Sequence, residues 1–281
     1  FQLQQSISNE IMKSLQMDLK PKITKASLNN NPIKIAHQER EMMGVKIDEQ
    51  FRWHNAYEAF NAWRNAVESQ NIFVFQFKFS IKDARGFSLM DKEPPIIVIN
   101  SSDNITARIF TLFHEYAHIT LGITEIYAEE EEISPNNLEV EKWCNIFASE
   151  FLLPEKILRE DKYFKDFQWS HQLSPVMLDK LSKKFKVSKH AILTRLMTLN
   201  LIGQKDYEEN VKILKQQEFK SSGGTGFITP PKKCIQEKGR RFVSMVLESK
   251  ERGLITTADA IEYLSVKLRH LDEIKKELTA K

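Results

Sequence analysis

The sequence predicts an α+β fold, in which a small β-sheet packs on a buried helix and mostly helical parts extend the chain at both ends. Three short runs rich in β-branched and aromatic residues predict the strands, at 72–77, 87–90 and 96–100. An apolar run at 105–121 contains two histidines and a glutamate, and its length and composition predict a buried helix. Most remaining segments have helical periodicity, so we expect helices to predominate.

The segments before the sheet predict an arm and two helices. Residues 1–35 are polar, whereas residues 35–45 have a helical pattern that ends at Gly44. Residues 57–67 then carry an aromatic stripe at helical spacing, which we interpret as core. The members of this stripe are Tyr57, Phe60, Trp63, Arg64 and Val67.

Polar side chains just before the apolar run predict where its helix begins. Ser101, Ser102 and Asp103 follow the third strand directly. Their oxygens can accept hydrogen bonds from the first backbone N–H groups of a helix, so we expect the N-cap among these three residues.

The pattern His-Glu-x-x-His at 114–118 predicts a metal site within the buried helix. Residues four apart lie on one face of a helix, so His114 and His118 can bind the same metal ion. Glu115 lies beside the first ligand, where it can take a proton from water on the metal. Unpaired polar groups are costly in a buried helix, and a divalent cation would satisfy all three.

A catalytic zinc site has a third protein ligand, and the helix predicted at 138–153 offers three glutamates. Glu139 and Glu150 lie on one flank of its apolar face. Glu141 lies on the other flank, with Asn145 one turn later. We choose Glu141 as the ligand and Asn145 as the outer residue that accepts the N–H of a ligating histidine. Glu139 and Glu150 remain the alternatives.

These motifs resemble those of the ImmA/IrrE family of zinc metallopeptidases, which are gluzincin-like proteases. The resemblance is carried by His-Glu-Tyr-Ala-His at 114–118 and by Glu-Lys-Trp-Cys-Asn-x-Phe-Ala-Ser-Glu-Phe-Leu-Leu-Pro at 141–154. Supporting patterns lie at 59–64, 87–89 and 96–100. The similarity covers most of residues 40–200 and, more weakly, the C-terminal tail.

The resemblance implies a zincin-like protease core, with the sheet beside the metal helix. It also implies a cytosolic protease that cleaves helix-turn-helix transcriptional repressors and so induces mobile-element or stress genes. In such enzymes an edge strand commonly binds the substrate as an added strand, and residues 86–90 are our candidate for that edge. Many members carry a DNA-binding domain before the protease, but nothing at the start of this sequence resembles one. The chain begins with Phe1, which leaves its natural N-terminus open.

Composition predicts a soluble protein of the cytoplasm. The 281 residues are 41% hydrophobic and 28% charged, no run is as long as a transmembrane helix, and no signal peptide is visible at the start. The chain has two cysteines, Cys144 and Cys234, which suggests no disulfide framework and fits a reducing compartment.

Charge is unevenly distributed along the chain. Residues 180–281 carry 22 basic and 12 acidic side chains, so this part is +10 while the rest is −7. A basic tail can contact nucleic acid, although a solvated helical surface is the simpler interpretation. The four glutamates at 129–132 could attract a basic substrate segment, but a solvated loop is again the simpler interpretation.

The chain after the ligand helix predicts further helical units. Residues 178–196 have a helix–turn–helix rhythm, which we interpret as a structural element packed on the protease core, and 221–226 are a glycine-rich linker. Two helices are expected beyond it, at 235–252 and 257–279. The predicted domains are an N-terminal helical arm (1–50), the metallopeptidase core (51–165), a helix-turn-helix-like subdomain (166–220), a linker (221–231) and a basic C-terminal helical segment (232–281).

The resulting hypothesis is zinc-dependent hydrolysis of a peptide bond in a protein substrate, with one zinc per chain, although other divalent ions fit such sites. Glu115 would take a proton and pass it to the leaving amine. The candidates for a further transition-state stabiliser are His171 and Arg85. The alternatives are a repressor-binding protein without catalysis and a DNA-binding regulator.

Overall fold

The computed structural model describes residues 2–18, 20–80, 84–123, 135–170, 172–218 and 228–279. Before and within the sheet the elements are α1 (Gln2–Ser14), α2 (Pro32–Met43), α3 (Ile47–Arg52), α4 (Ala56–Ser69), β1 (Phe73–Phe77), β2 (Gly86–Leu89) and β3 (Ile96–Asn100). The next helices are α5 (Ile105–Leu121), α6 (Pro135–Leu152), α7 (Glu155–Glu160), α8 (Lys162–Ser170), α9 (Pro175–Phe185), α10 (Lys189–Thr198) and α11 (Gln204–Glu218). The last are α12 (Pro230–Lys238), α13 (Arg240–Glu251), α14 (Thr257–Leu264) and α15 (Leu271–Thr279).

The three strands form one sheet in the order β1-β3-β2, which confirms the predicted α+β class. β1 runs parallel to β3, with Phe73 opposite Ile96, and β2 runs antiparallel to β3, with Phe87 opposite Val98. β2 therefore lies at one edge of the sheet, as expected for residues 86–90.

Both faces of the sheet are buried, which explains why the first four residues of β3 are all apolar. Side chains alternate between the faces of a strand. Val74, Ile97 and Ile99 point into the core formed with α2 to α10, whereas neighbouring side chains such as Phe75 and Val98 point into a second core. That second core is completed by α1 and by α12 to α15. The two ends of the chain thus meet over one face of the sheet.

A buried arginine joins the C-terminal helices to the rest of the fold. Arg64 on α4 donates to the Gln236 carbonyl at 2.6 Å, contacts the Val74 carbonyl, and pairs with Glu68 at 3.0 Å. The ends of α12 and β1 are therefore held by the same guanidinium group.

The structure corrects four local predictions. The helix expected at 235–252 is two helices, because the backbone at Gly239 takes φ +88°, a conformation that ends α12. The helix expected at 257–279 is also interrupted, at Ser265 with φ +56°. Tyr57 was expected in the core but is 62% exposed. Asn104, not Ser101 to Asp103, caps α5, since its side chain accepts from the Thr106 N–H at 3.1 Å.

The glutamates at 129–132 and the linker at 221–226 lie outside the described residues, and the domain boundaries stay predictions. Within the described ranges, each helix is too short or too polar to cross a membrane.

We expect Gly239→Ala to lower the free energy of unfolding by about 3 kcal/mol. A Cβ at this position would lie 2.5 Å from Glu68 Oε1 and 2.7 Å from Arg64 Nη2, and both groups are held by buried bonds. The matched control is Gly253→Ala: its φ is +70°, but nothing lies within 4 Å of the added atom. We expect Gly253→Ala to lower the free energy of unfolding by only about 1 kcal/mol, the cost of backbone strain alone. If chemical denaturation showed equal losses of stability for Gly239→Ala and Gly253→Ala, the close approach of Gly239 to Glu68 and Arg64 would be contradicted.

Candidate metal centre

α5 presents its two histidines and its glutamate from a buried helix. Asn104 caps its start, and Gly122, with φ +73°, ends it in a left-handed conformation. His118 is 2% exposed and Glu115 is 7% exposed, while His114 is partly exposed. The opposite side of the helix packs into the core through residues such as Leu112, Phe113 and Tyr116, so these polar groups have one open direction, toward a cleft.

The aromatic face of α6 docks this helix on α5 and so places Glu141. Trp143, Phe147 and Phe151 follow one another at one-turn spacing and stack with ring centroids 5.6 and 5.9 Å apart. Phe151 stacks on Phe113 of α5 at 4.0 Å. Glu141 lies on the flank of this face, so the packing of α6 on α5 places it beside the two histidines.

The three predicted ligands form a triangle of residues, in which the two imidazoles lie side by side and each faces one carboxylate oxygen of Glu141. His114 Nε2 lies 3.2 Å from His118 Nε2 and 3.2 Å from Glu141 Oε2, and His118 Nε2 lies 3.3 Å from Glu141 Oε1. Ligand atoms bound tetrahedrally to zinc at about 2.0–2.2 Å lie about 3.3–3.6 Å apart. The spacing and the two-imidazole, one-carboxylate donor set therefore fit a tetrahedral divalent metal. In the described part of the chain this is the one such cluster that could hold a metal ion.

The ionised forms of His114 and Glu141 stabilise each other. Burial disfavours the charged imidazolium of His114, but hydrogen bonding and the charge of Glu141 outweigh it and raise the pKa of His114. Burial also works against ionised Glu141, yet hydrogen bonds from the two histidines hold the pKa of Glu141 well below its usual range. Burial raises the pKa of Glu115, the neighbouring carboxyl.

The alternative glutamates of α6 have other surroundings. Glu150 is 1% exposed and forms a buried ion pair with Arg195 of α10. It also bonds to His37 at 2.6 Å. Glu139 is exposed to solvent. Neither belongs to the cluster of donor atoms.

The remaining predicted site residues are Asn145, Arg85 and His171. Asn145 lines the cleft, and its hydrogen bond with His114 contributes to the raised pKa of that histidine. Nδ1 of His114 is buried and has no hydrogen-bond partner among the described residues. Arg85 also lines the cleft and pairs with Asp103 at 3.3 Å. His171 lies outside the described residues. The roles assigned to all of these residues remain predictions.

The cleft beside the triangle has a volume of about 720 Å³. One side is formed by the segment leading into β2 and by β2 itself, including Gly86 and Phe87. Sequence reasoning missed a further set of contributors, which come from α10, its cap residue and α11: Ser188, His190, Ala191, Thr194, Met197 and Tyr207. The helix–turn–helix rhythm predicted these helices but gave no signal of which face would meet the metal helix.

Comparison with known families agrees with this geometry. Residues 67–197 match the family described as the IrrE N-terminal-like domain of the M78 peptidases. This confirms the predicted ImmA/IrrE resemblance, and the match includes every residue of the triangle. No curated protein matches the sequence.

Gly86 fits β2 of this IrrE-like domain closely against α5, and we expect Gly86→Ala to lower the free energy of unfolding by about 1–3 kcal/mol. An added Cβ would lie 2.5 Å from Thr111 Cγ2 and 3.0 Å from the Val98 carbonyl oxygen. Thr111→Ser removes the nearer methyl group, so it should partly restore the stability of Gly86→Ala.

The control for this pair is Gly203→Ala, where the nearest atom is 3.8 Å away and the change should stay within about 0.5 kcal/mol. Chemical denaturation measures Gly86→Ala, the double variant Gly86→Ala/Thr111→Ser, and Gly203→Ala. A Gly86→Ala protein as stable as the wild type, or one that Thr111→Ser does not improve, would contradict the close packing of β2 on the metal helix.

Proposed function

We propose that this chain is a zinc-dependent endopeptidase that cleaves a protein substrate. One zinc ion per chain would be held by His114, His118 and Glu141. The observation that carries the proposal is the triangle of His114, His118 and Glu141, whose facing nitrogen and oxygen atoms lie 3.2–3.3 Å apart in a cleft and beside a buried carboxyl group. The match of residues 67–197 to a peptidase family supports the same chemistry.

Glu115 is the proposed general base and acid. When bound, zinc supplies Lewis acidity, which polarises a scissile carbonyl and makes a water molecule more acidic. Glu115 follows His114 in α5 and lines the same cleft, so its carboxylate can accept a proton from the attacking water. The same carboxyl then returns the proton to the leaving amine, and burial keeps bulk water from competing for it.

The edge strand β2 is the proposed binding site for the substrate backbone. β3 pairs with one side of β2, and the segment at 84–87 borders the cleft. An extended peptide added to the outer side of β2 would gain backbone hydrogen bonds without a free terminus. Such binding suits cleavage within a chain, which is why we propose an endopeptidase.

We further propose a helix-turn-helix transcriptional repressor as the substrate, so that cleavage derepresses mobile-element or stress and defence genes in the cytoplasm. This step rests on the resemblance to ImmA/IrrE proteins. Nucleic-acid contact through the basic C-terminal region is the alternative. Several basic side chains there lie beside glutamates, as Lys275 does at 2.6 Å from Glu251, and this reduces the positive charge offered to phosphates.

Glu115→Gln should abolish cleavage while metal content and fold persist, because the amide keeps the shape of the carboxyl but cannot accept the proton. We expect the rate to fall at least a hundredfold. The measurement is labelling of new protein N-termini in cells that express wild type or Glu115→Gln, followed by mass spectrometry. New N-termini inside helix-turn-helix repressors should appear with the wild type alone.

The matched control is Glu139→Gln, which makes the same chemical change at an exposed position of α6 and should leave the cleavage pattern intact. Repressor inactivation that survives Glu115→Gln would favour a binding protein without catalysis. An absence of new N-termini with the wild type would contradict the endopeptidase. A steep loss of DNA affinity with salt would favour the DNA-binding alternative.

A further inference from the structure

The cleft has a wall that the proposed catalytic chemistry does not use, formed by α10 and α11. α10 occupies the second position of the helix–turn–helix rhythm, where a DNA-binding protein would carry its recognition helix. Here its side chains Ile192, Leu193 and Leu196 are fully buried in the core. Other residues of α10 line the cleft, among them His190 and Thr194.

Tyr207 of α11 joins this wall and lies ten positions beyond the family match, which ends at residue 197. Its hydroxyl lies 2.7 Å from His190 Nε2, and the two ring centroids are 5.7 Å apart. Thr194 Oγ1 lies 3.5 Å from the same hydroxyl, at the outer limit of a hydrogen bond. The Thr194 hydroxyl donates its proton to the His190 carbonyl at 3.1 Å, so Thr194 does not donate to Tyr207.

The short contact with His190 determines what the tyrosine can offer. When Nε2 carries the imidazole proton, His190 donates to the Tyr207 oxygen. The proton of the tyrosine hydroxyl is then directed elsewhere. Thr194 Oγ1 lies at 3.5 Å, the limit of a hydrogen bond, so a carbonyl bound in the cleft would be the better acceptor. Tyr207 can therefore present a neutral hydrogen-bond donor to a molecule bound there.

A peptide paired with β2 would need such a donor. A strand bound along one edge satisfies the backbone groups that point toward that edge, and its remaining carbonyls point the other way. These carbonyls lose water when the peptide enters a cleft, so they require partners from another wall. α10 and α11 are the elements of that cleft that lie outside the sheet and the two ligand helices.

We propose that the Tyr207 hydroxyl donates a hydrogen bond to a backbone carbonyl of the substrate peptide and that His190 positions this hydroxyl. The inference rests on the proposed peptidase function, because it assumes a peptide in the cleft. Tyr207 is then a substrate-binding residue, and His190 acts through it.

The test compares binding of probes to the zinc-loaded full chain by calorimetry. Acetohydroxamate binds at a metal and is too short to extend along the cleft. Two capped alanine–leucine–alanine hydroxamates sample both halves of the cleft, one with the hydroxamate at its C-terminus and one with it attached through a malonyl group at its N-terminus. Tyr207→Phe should weaken at least one tripeptide about fivefold, which corresponds to one hydrogen bond, and leave acetohydroxamate unchanged.

The control is Tyr163→Phe, the same change at a partly buried tyrosine on α8, outside the cleft, and it should alter neither probe. His190→Ala should weaken the same tripeptide, but should add nothing once Tyr207 is phenylalanine, because a positioning residue loses its effect with its target. Thermal unfolding establishes that each variant is folded.

Tripeptide affinity unchanged in Tyr207→Phe would overturn the inference while the peptidase proposal stands. The inference would also be overturned if the tripeptides bound the wild type no more tightly than acetohydroxamate does. Additive losses in the double variant would remove the positioning role of His190. A zinc-loaded wild type that fails to bind acetohydroxamate would contradict the metal centre itself, and with it any peptide contact of Tyr207.

Discussion

The stacking of α6 on α5 is the interaction on which the candidate centre depends. Two candidate ligands lie on α5 and the third on α6, so their spacing is only as fixed as the contact between the two helices. The stacked rings of Phe113 and Phe151 hold that contact in the core. Interiors pack at the density of crystals, and a shift of one helix would disturb every ring along the interface. The position of Glu141 is therefore set by apolar packing and not by its own polar contacts.

Two buried polar pairs elsewhere in the fold join distant segments of the chain. Glu150 pairs with Arg195 and ties α6 to α10, and the Tyr116 hydroxyl donates to Glu39, which ties α5 to α2. Breaking the Glu150–Arg195 ion pair would leave an uncompensated buried charge, which typically costs about 3–5 kcal/mol. These pairs explain why one glutamate of α6 is structural while another remains available to a metal. The partner of a buried charge, and not its residue type, decides its role.

The sequence predicted the features that depend on local periodicity and on motif spacing. It located the three strands and the two ligand helices, and it singled out Glu141 because the flank of a helix can be read from the 3.6-residue repeat. It failed where tertiary contacts override local pattern. The break at Gly239 arises because α12 ends against buried Arg64, and Tyr57 is exposed although its stripe is otherwise buried. The cleft wall at Tyr207 was missed because helical periodicity does not say which helices will face each other.

The most direct test of the account is the metal content of the purified chain, measured beside Glu141→Ala, Glu139→Ala and Glu150→Ala. The triangle predicts about one zinc per wild-type chain, loss of zinc in Glu141→Ala, and full retention in Glu139→Ala. Glu150→Ala is expected to lose stability through its unpaired arginine, and the protein that remains folded should still bind zinc. A wild type that takes up no divalent metal, or zinc that survives Glu141→Ala and is lost in Glu139→Ala, would contradict the centre described above.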